Sequence, residues 1–249
     1  MSEKKGKWKV AISGSKSDLE HLASHFISSD GHFSKDDLDS GFLYTSEKLE
    51  DCETAEDVSR LARNEMRVLS GILRLVRNSN EPLLAGVVYW CYPSGGRDVF
   101  VMDQEGIQVR AELGDVTVSV SNADGSITPS CSSPPQTLVV AKLARSSSSV
   151  TKAMRLIAAS DYMSWGGLYR LYEVIEGDMG GEHELKTVFC GSAKDIKRFK
   201  HSANSVTVAG DDARHANESG RPPEQPMTLY EAEAFLKYLL KRWLAEKGV

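Results

Sequence analysis

Thr228-Leu-Tyr-Glu-Ala-Glu-Ala-Phe-Leu-Lys-Tyr-Leu-Leu-Lys-Arg-Trp243 is the stretch of the chain that reads most surely as a single element. Leu229, Ala232, Phe235, Leu236, Leu239, Leu240 and Trp243 recur at three- and four-residue spacing, which winds them into one apolar stripe of an α-helix. Thr228 and Glu231 form a capping box at its start. Glu231 and Glu233 early, and Lys237, Lys241 and Arg242 late, complement the helix dipole. Pro222, Pro223 and Pro226 exclude helix just before it. So one-sided a helix must bury its stripe against other helices, and the residues upstream supply them.

Ser192-Ala-Lys-Asp195 opens a basic helix whose apolar side is Ile196, Phe199 and Ala203. Before it, Ser164 is the expected cap of a helix with Trp165, Leu168, Tyr169, Tyr172 and Ile175 inward and Glu173 and Glu176 along its length. Ser149 is the expected cap of another, with Val150, Ala153, Met154 and Ile157 inward. Leu138 to Ala144 fits a helix or a last strand.

The first half alternates instead. Trp8 to Ile12, Gly41 to Thr45, Leu83 to Cys91 and Arg97 to Met102 read as strands, the last two joined by the hairpin signal Pro93-Ser-Gly-Gly96. Gly106 to Leu113 and Val116 to Ser121 continue the alternation. Ser17 to Ser28 reads as a short helix, with Ser17 or Asp18 as its cap. Thr54-Ala-Glu-Asp57 opens a longer one to Arg77, with Val58, Leu61, Ala62, Leu69, Ile72, Leu73 and Val76 facing a core. Arg60, Arg63, Arg67, Arg74 and Arg77 on its other side have acidic neighbours and fit a solvated face. Residues 122–136, rich in serine and proline, read as a linker. The expected fold class is α+β: a mainly antiparallel sheet with one long helix in residues 1–136, then a helical bundle in residues 137–249.

At 249 residues and 41% hydrophobic, the chain can bury a substantial core. It contains no apolar run long enough to span a bilayer, and its charged opening lacks a signal-peptide core, so a cytoplasmic location is expected. Cys52, Cys91, Cys131 and Cys190 are widely spaced, which argues against a disulfide framework or structural zinc. His21 and His25, four apart, have chelating spacing but lack a third ligand at matching spacing, and neither a metal nor a cofactor is expected. Ser13-Gly-Ser-Lys-Ser-Asp18 looks like a phosphate loop but has a single glycine, and reads as a strand-to-helix turn. The net charge of -5 is uneven: residues 1–136 carry 14 basic and 21 acidic side chains (14 - 21 = -7), residues 137–249 carry 16 and 14 (+2). A protein partner is expected for the acidic half, with RNA at the C-terminal half as the alternative.

Chemistry-bearing side chains concentrate between the last two helices. Arg198, His201 and Asn204 precede Gly210-Asp-Asp-Ala-Arg214-His215, with Asn217 close behind. A histidine there can act as general acid or base on a ribose hydroxyl while an arginine holds the phosphate; on this reading Arg214 and His215 are catalytic, and Arg198, His201, Asn204 and Asn217 bind. The competing reading has Arg214 bridging the loop to a carboxylate, such as Asp211 or Asp212, and His215 capping a carbonyl. The order Gly210-Asp-Asp-Ala-Arg214-His215, then Pro223-Glu-Gln-Pro-Met-Thr-Leu-Tyr-Glu-Ala232, resembles that of small uncharacterised bacterial proteins over roughly residues 165–245. An Arg-His element beside a late helix is more distantly similar to HEPN-type domains, and that resemblance implies an RNA-directed nuclease of a toxin or phage-defence system. The HEPN motif separates its arginine and histidine, whereas Arg214 and His215 are adjacent. Because no other catalytic motif is present, the primary expectation is a non-catalytic binding or regulatory protein, with RNA cleavage through Arg214 and His215 as the alternative.

Overall fold

The computed structural model describes residues 6–37, 41–101, 134–189, 193–214 and 222–249. The fold is α+β, an antiparallel sheet with a long helix followed by a mostly helical C-terminal half. Its residues group into two compact units: Met1–Met66 with Glu81–Leu138, and Arg67–Asn80 with Val139–Val249. The expected strands within 106–121 and most of the 122–136 linker lie outside the described residues.

In the first unit, strands β1 (Lys7–Ser13), β2 (Ile27–Ser28), β3 (Gly31–Lys35), β4 (Phe42–Thr45), β5 (Leu84–Cys91) and β6 (Arg97–Phe100) form one sheet in the order β2-β3-β4-β1-β5-β6. Every pairing is antiparallel. Register sets Val10 beside both Tyr44 and Val88, and Tyr44 beside Phe33. These four are buried together with Trp8, which meets Trp90 edge-on at 4.7 Å. The opposite face carries an ion pair reaching across the sheet. Arg97 stacks on Tyr89 at 4.0 Å and bonds to Asp36 at 2.7 Å, so the residues after β3 fasten to β6. Between β5 and β6, Gly95 and Gly96 take φ of +89° and +87°, which a side chain would resist.

Helix α1 (Lys16–His25) is shorter than its sequence suggests, because Ile27 and Ser28 turn back as β2 to pair with β3. Its N-cap is Ser15 rather than Ser17 or Asp18, and Asp18 is buried. A single turn, α2 (Glu47–Glu50), precedes α3 (Ala55–Arg77). The start of α3 is half a capping box. Thr54 accepts from the Asp57 N–H at 3.2 Å, but its hydroxyl donates to the Asp57 carboxylate at 2.7 Å instead of leaving that carboxylate to reach back.

The second unit contains the last part of α3 and most of α4 (Gln136–Ser146), which settles residues 138–144 as helix. There follow α5 (Ser148–Ile157), α6 (Trp165–Asp178), α7 (Glu182–Val188), α8 (Ala193–Asn204), the short α9 (Val206–Ala209) and α10 (Leu229–Glu246). Ser164 caps α6 by accepting from Gly167 N–H. The cap of α5 is Ser147, not Ser149, whose hydroxyl bonds to Asp178 instead. Leu236, Leu239, Leu240, Trp243 and Leu244 of α10 are buried, and each contributes about 1.5–3 kcal/mol before the entropy of ordering it. Trp243 donates to Asp178 at 2.8 Å, satisfying the one polar atom of its ring.

Candidate functional site

The basic helix α8 turns Ile196, Phe199, Ser202 and Ala203 inward, so Arg198 and His201 fall on its other faces. Phe199 is the hub of an aromatic cluster. Tyr169 stacks on it at 5.8 Å, and Trp165, Tyr172 and Phe235 lie within 6.3 Å. Beside that cluster Lys200 bonds to Glu182 at 2.5 Å and faces Glu176 at 3.7 Å, while Tyr172 donates to Glu176 at 3.1 Å. Burial, then the adjacent Glu176, pushes the Tyr172 hydroxyl far above its ordinary range. Glu182 is held below the usual carboxylate range by its bonds from Lys186 and Lys200. Burial acts to lower Lys200 and is the largest single influence on it, but its bond to Glu182 together with the nearby charges of Glu176, Tyr169 and Glu182 leaves the ammonium raised.

The α8 side chains named by the sequence divide between two tasks. The Arg198 guanidinium reaches the bend before the last helix, donating to the carbonyls of Gln225 at 2.9 Å and Pro226 at 3.0 Å and to Glu231 at 3.1 Å. Glu231 meanwhile closes the capping box, accepting from Thr228 N–H at 2.7 Å while Thr228 accepts from Glu231 N–H. The Thr228 N–H first, and Arg198 second, hold the Glu231 carboxyl low. One turn along, the buried Ser202 hydroxyl donates to Arg198 O at 2.9 Å and accepts from Met227 N–H at 2.8 Å. His201 is exposed. Asn204 is partly exposed, yet its Oδ1 is buried without a partner among the described residues.

Arg214 takes a different course. Its backbone N–H donates to Ala203 O at 3.0 Å, seating it against the end of α8. Its guanidinium lies 4.4 Å over the Tyr169 ring, donates to the Tyr169 oxygen at 3.2 Å and pairs with Glu173 at 2.8 Å. Both members of that ion pair are about two-fifths exposed, at 41% and 43%. The Arg214 side chain thus reaches α6: its carboxylate partner is Glu173 and not Asp211 or Asp212, which form a 3₁₀ turn. Sequence reasoning missed Tyr169 and Glu173 as its partners. The available signal was their four-residue spacing, which stacks an aromatic ring and an acid on one face of α6. His215 and Asn217 lie outside the described residues. The described arrangement anchors and orients two chain segments; Arg198 and Arg214 are directed to different partners and do not converge on a common point.

Neither His21 nor His25 has the surroundings of a metal ligand set. Their rings stack at 4.5 Å, Nε2 of His21 bonds to Thr137 Oγ1 and Nδ1–H of His25 donates to His21 O. Among the described residues no group of three or more candidate ligands is assembled. No helix among them is long and apolar enough to cross a membrane. No protein-family model, curated protein or solved structure matches the chain.

Proposed function

We propose that this chain is a non-catalytic binding protein whose acidic N-terminal half, residues 1–136, engages a protein partner. The observation that carries the reading is the engagement of both candidate arginines. Arg198 spends its donors on two carbonyls and Glu231, and Arg214 on Tyr169 and Glu173. An arginine serving phosphoryl chemistry must present its planar fork to the substrate. Here that fork organises the fold.

The partner surface follows from charge and exposure. Residues 1–136 carry the -7 balance, and on strands β5 and β6 and just beyond them Leu84, Val99 and Val101 are 53%, 56% and 78% exposed. Exposed apolar side chains within this acidic half suit a partner that presents apolar surface ringed by lysine and arginine.

Two assays test this. Wild-type protein should leave a mixed RNA pool intact. As bait in native lysate it should retain a stoichiometric protein that Val99→Glu releases. RNA cleavage by wild type that disappears in both Arg214→Ala and His215→Ala, with their melting temperatures unchanged, would overturn the proposal and make RNA the substrate.

A further inference from the structure

We infer that α7 is a strap, Glu182 to Phe189, that lifts as a unit while the helices around it stay folded, and that Lys200 of α8 is the catch that holds it down. The inference goes beyond the binding function proposed above and does not depend on it. It starts from how little else secures α7. A helix of seven residues is too short to stand alone in water. Its N-cap is Gly181, so no side chain caps its first turn. Within it Leu185 alone is buried, with Phe189 just past its end.

The chain enters α7 through a joint. Gly180 and Gly181 take φ of +88° and +115° in succession, and Gly181 N–H donates to Glu176 O at 2.8 Å, which closes the end of α6. A methyl group on Gly181 would meet no atom within 4 Å, its chain neighbours aside. Two successive glycines with free space around the second leave the angle between α6 and α7 unfixed by packing.

What fixes it is charge, and the charges converge on one ammonium. Lys200 bonds to Glu182 in the first turn of α7 at 2.5 Å, faces Glu176 of α6 at 3.7 Å and lies 5.6 Å over the Tyr172 ring. Glu182 also pairs with Lys186, one turn further along α7. At the far end Arg242 of α10 lies 5.9 Å over Phe189. The side chains of Lys200, Glu176, Glu182 and Lys186 are between 24% and 37% exposed, so water and salt reach the network and each pair is individually weak. The neighbouring helices are held differently. Leu168, Leu171 and Ile175 of α6 and Leu236, Leu239, Leu240 and Trp243 of α10 are buried apolar stripes. Opening free energies within one protein run from near zero to that of global unfolding. On these attachments α7 belongs at the low end and α6 and α10 at the high end.

Native-state hydrogen exchange on the full chain tests this, comparing wild type with Lys200→Met, Glu182→Gln and Lys197→Met. Methionine keeps the aliphatic stem and removes the charge, and the exposed Lys197 controls for loss of a lysine from α8. In wild type the amides of Leu185 to Phe189 should exchange faster than those of Leu171 to Ile175 and Leu239 to Trp243. Lys200→Met should speed the α7 amides about ten-fold further and leave α6 and α10 unchanged. Glu182→Gln cuts the same catch from the α7 side, should reproduce that effect, and carries the comparison if Lys200→Met does not fold. Lys197→Met should change nothing. One common rate for α7 and α10 in wild type overturns the strap, because α7 then opens only with the whole unit. Unchanged α7 amides in Lys200→Met and Glu182→Gln, or an equal acceleration of every helix, overturns the catch.

Discussion

Gly71 of α3 lies against the main chain of Met154 in α5: a methyl group on it would stand 2.0 Å from the Met154 carbonyl oxygen. The obstacle is backbone, which cannot rotate aside. Glycine elsewhere in a helix interior only weakens it, so these two backbones approach closely because Gly71 lacks a side chain.

Gly71→Ala should accordingly destabilise the protein by about 2–3 kcal/mol, read by denaturant unfolding. Gly177 of α6 has open space around its would-be methyl. Gly177→Ala should stabilise by about 0.5–1 kcal/mol through helix propensity alone. A mild effect at Gly71 would show that the helices part cheaply.

Asp178 gives the bundle an acid-sensitive joint. It accepts from Trp243 at 2.8 Å and pairs with Lys247 at 2.7 Å. Burial acts to raise its carboxyl, but the bonds from Lys247, Ser149 and Trp243 outweigh burial and hold it below the ordinary value. A carboxyl lowered by folding contributes stability that is present above its unfolded pKa and lost as pH falls through the folded one. Asp178→Asn should cost about 1–2 kcal/mol at pH 7, and the gap to wild type should close below about pH 3. Urea melts of both proteins across that range would show the convergence, and a constant gap would refute it.

Ser202→Ala removes the hydroxyl that bridges α8 to the Met227 N–H. The alanine leaves that buried donor without an acceptor, at a cost of about 1–3 kcal/mol, against less than about 1 kcal/mol for removing the exposed His201 imidazole. Thermal melts of Ser202→Ala and His201→Ala make the comparison.

The two threonine caps should differ in kind. Thr228→Ala dismantles a complete capping box and should cost about 1–2 kcal/mol. At Thr54 the reciprocal bond is absent and Asp57 is already engaged by Arg60. Thr54→Ala should cost about 0.5–1 kcal/mol. Equal losses would mean that the reciprocal bond to Glu231 adds nothing.

Local pattern made much of this fold legible. The stripes of α3 and α10, the Ser164 cap and the β5–β6 hairpin each declare themselves within a few residues. What escaped is defined by partners distant in sequence. Gly31-His-Phe-Ser-Lys35 has one large apolar residue and becomes a strand because β4 pairs with it. Ile27 and Ser28 leave α1 for the same reason. Ser149 sits where a cap belongs, but Asp178 takes its hydroxyl and Ser147 caps instead. At the candidate site the residue types were legible and their partners were not. Arg214 and Glu173 are separated by 41 positions and Arg198 and Glu231 by 33, and neither helical nor strand periodicity reaches that far.

The strand order β2-β3-β4-β1-β5-β6 has a consequence for biosynthesis. β1 emerges first yet sits inside the sheet, with β4 on one side and β5 on the other. Its β4 edge can pair once Thr45 has left the ribosome, but its other edge waits for Cys91, with the long α3 made in between. At about 5–20 residues per second that wait lasts on the order of seconds. Throughout it, a nascent chain carrying Trp8, Val10 and Ile12 presents an unpaired edge of the kind that templates aggregation. Among the described strands, a pause in elongation between residues 45 and 91 prolongs that exposure directly.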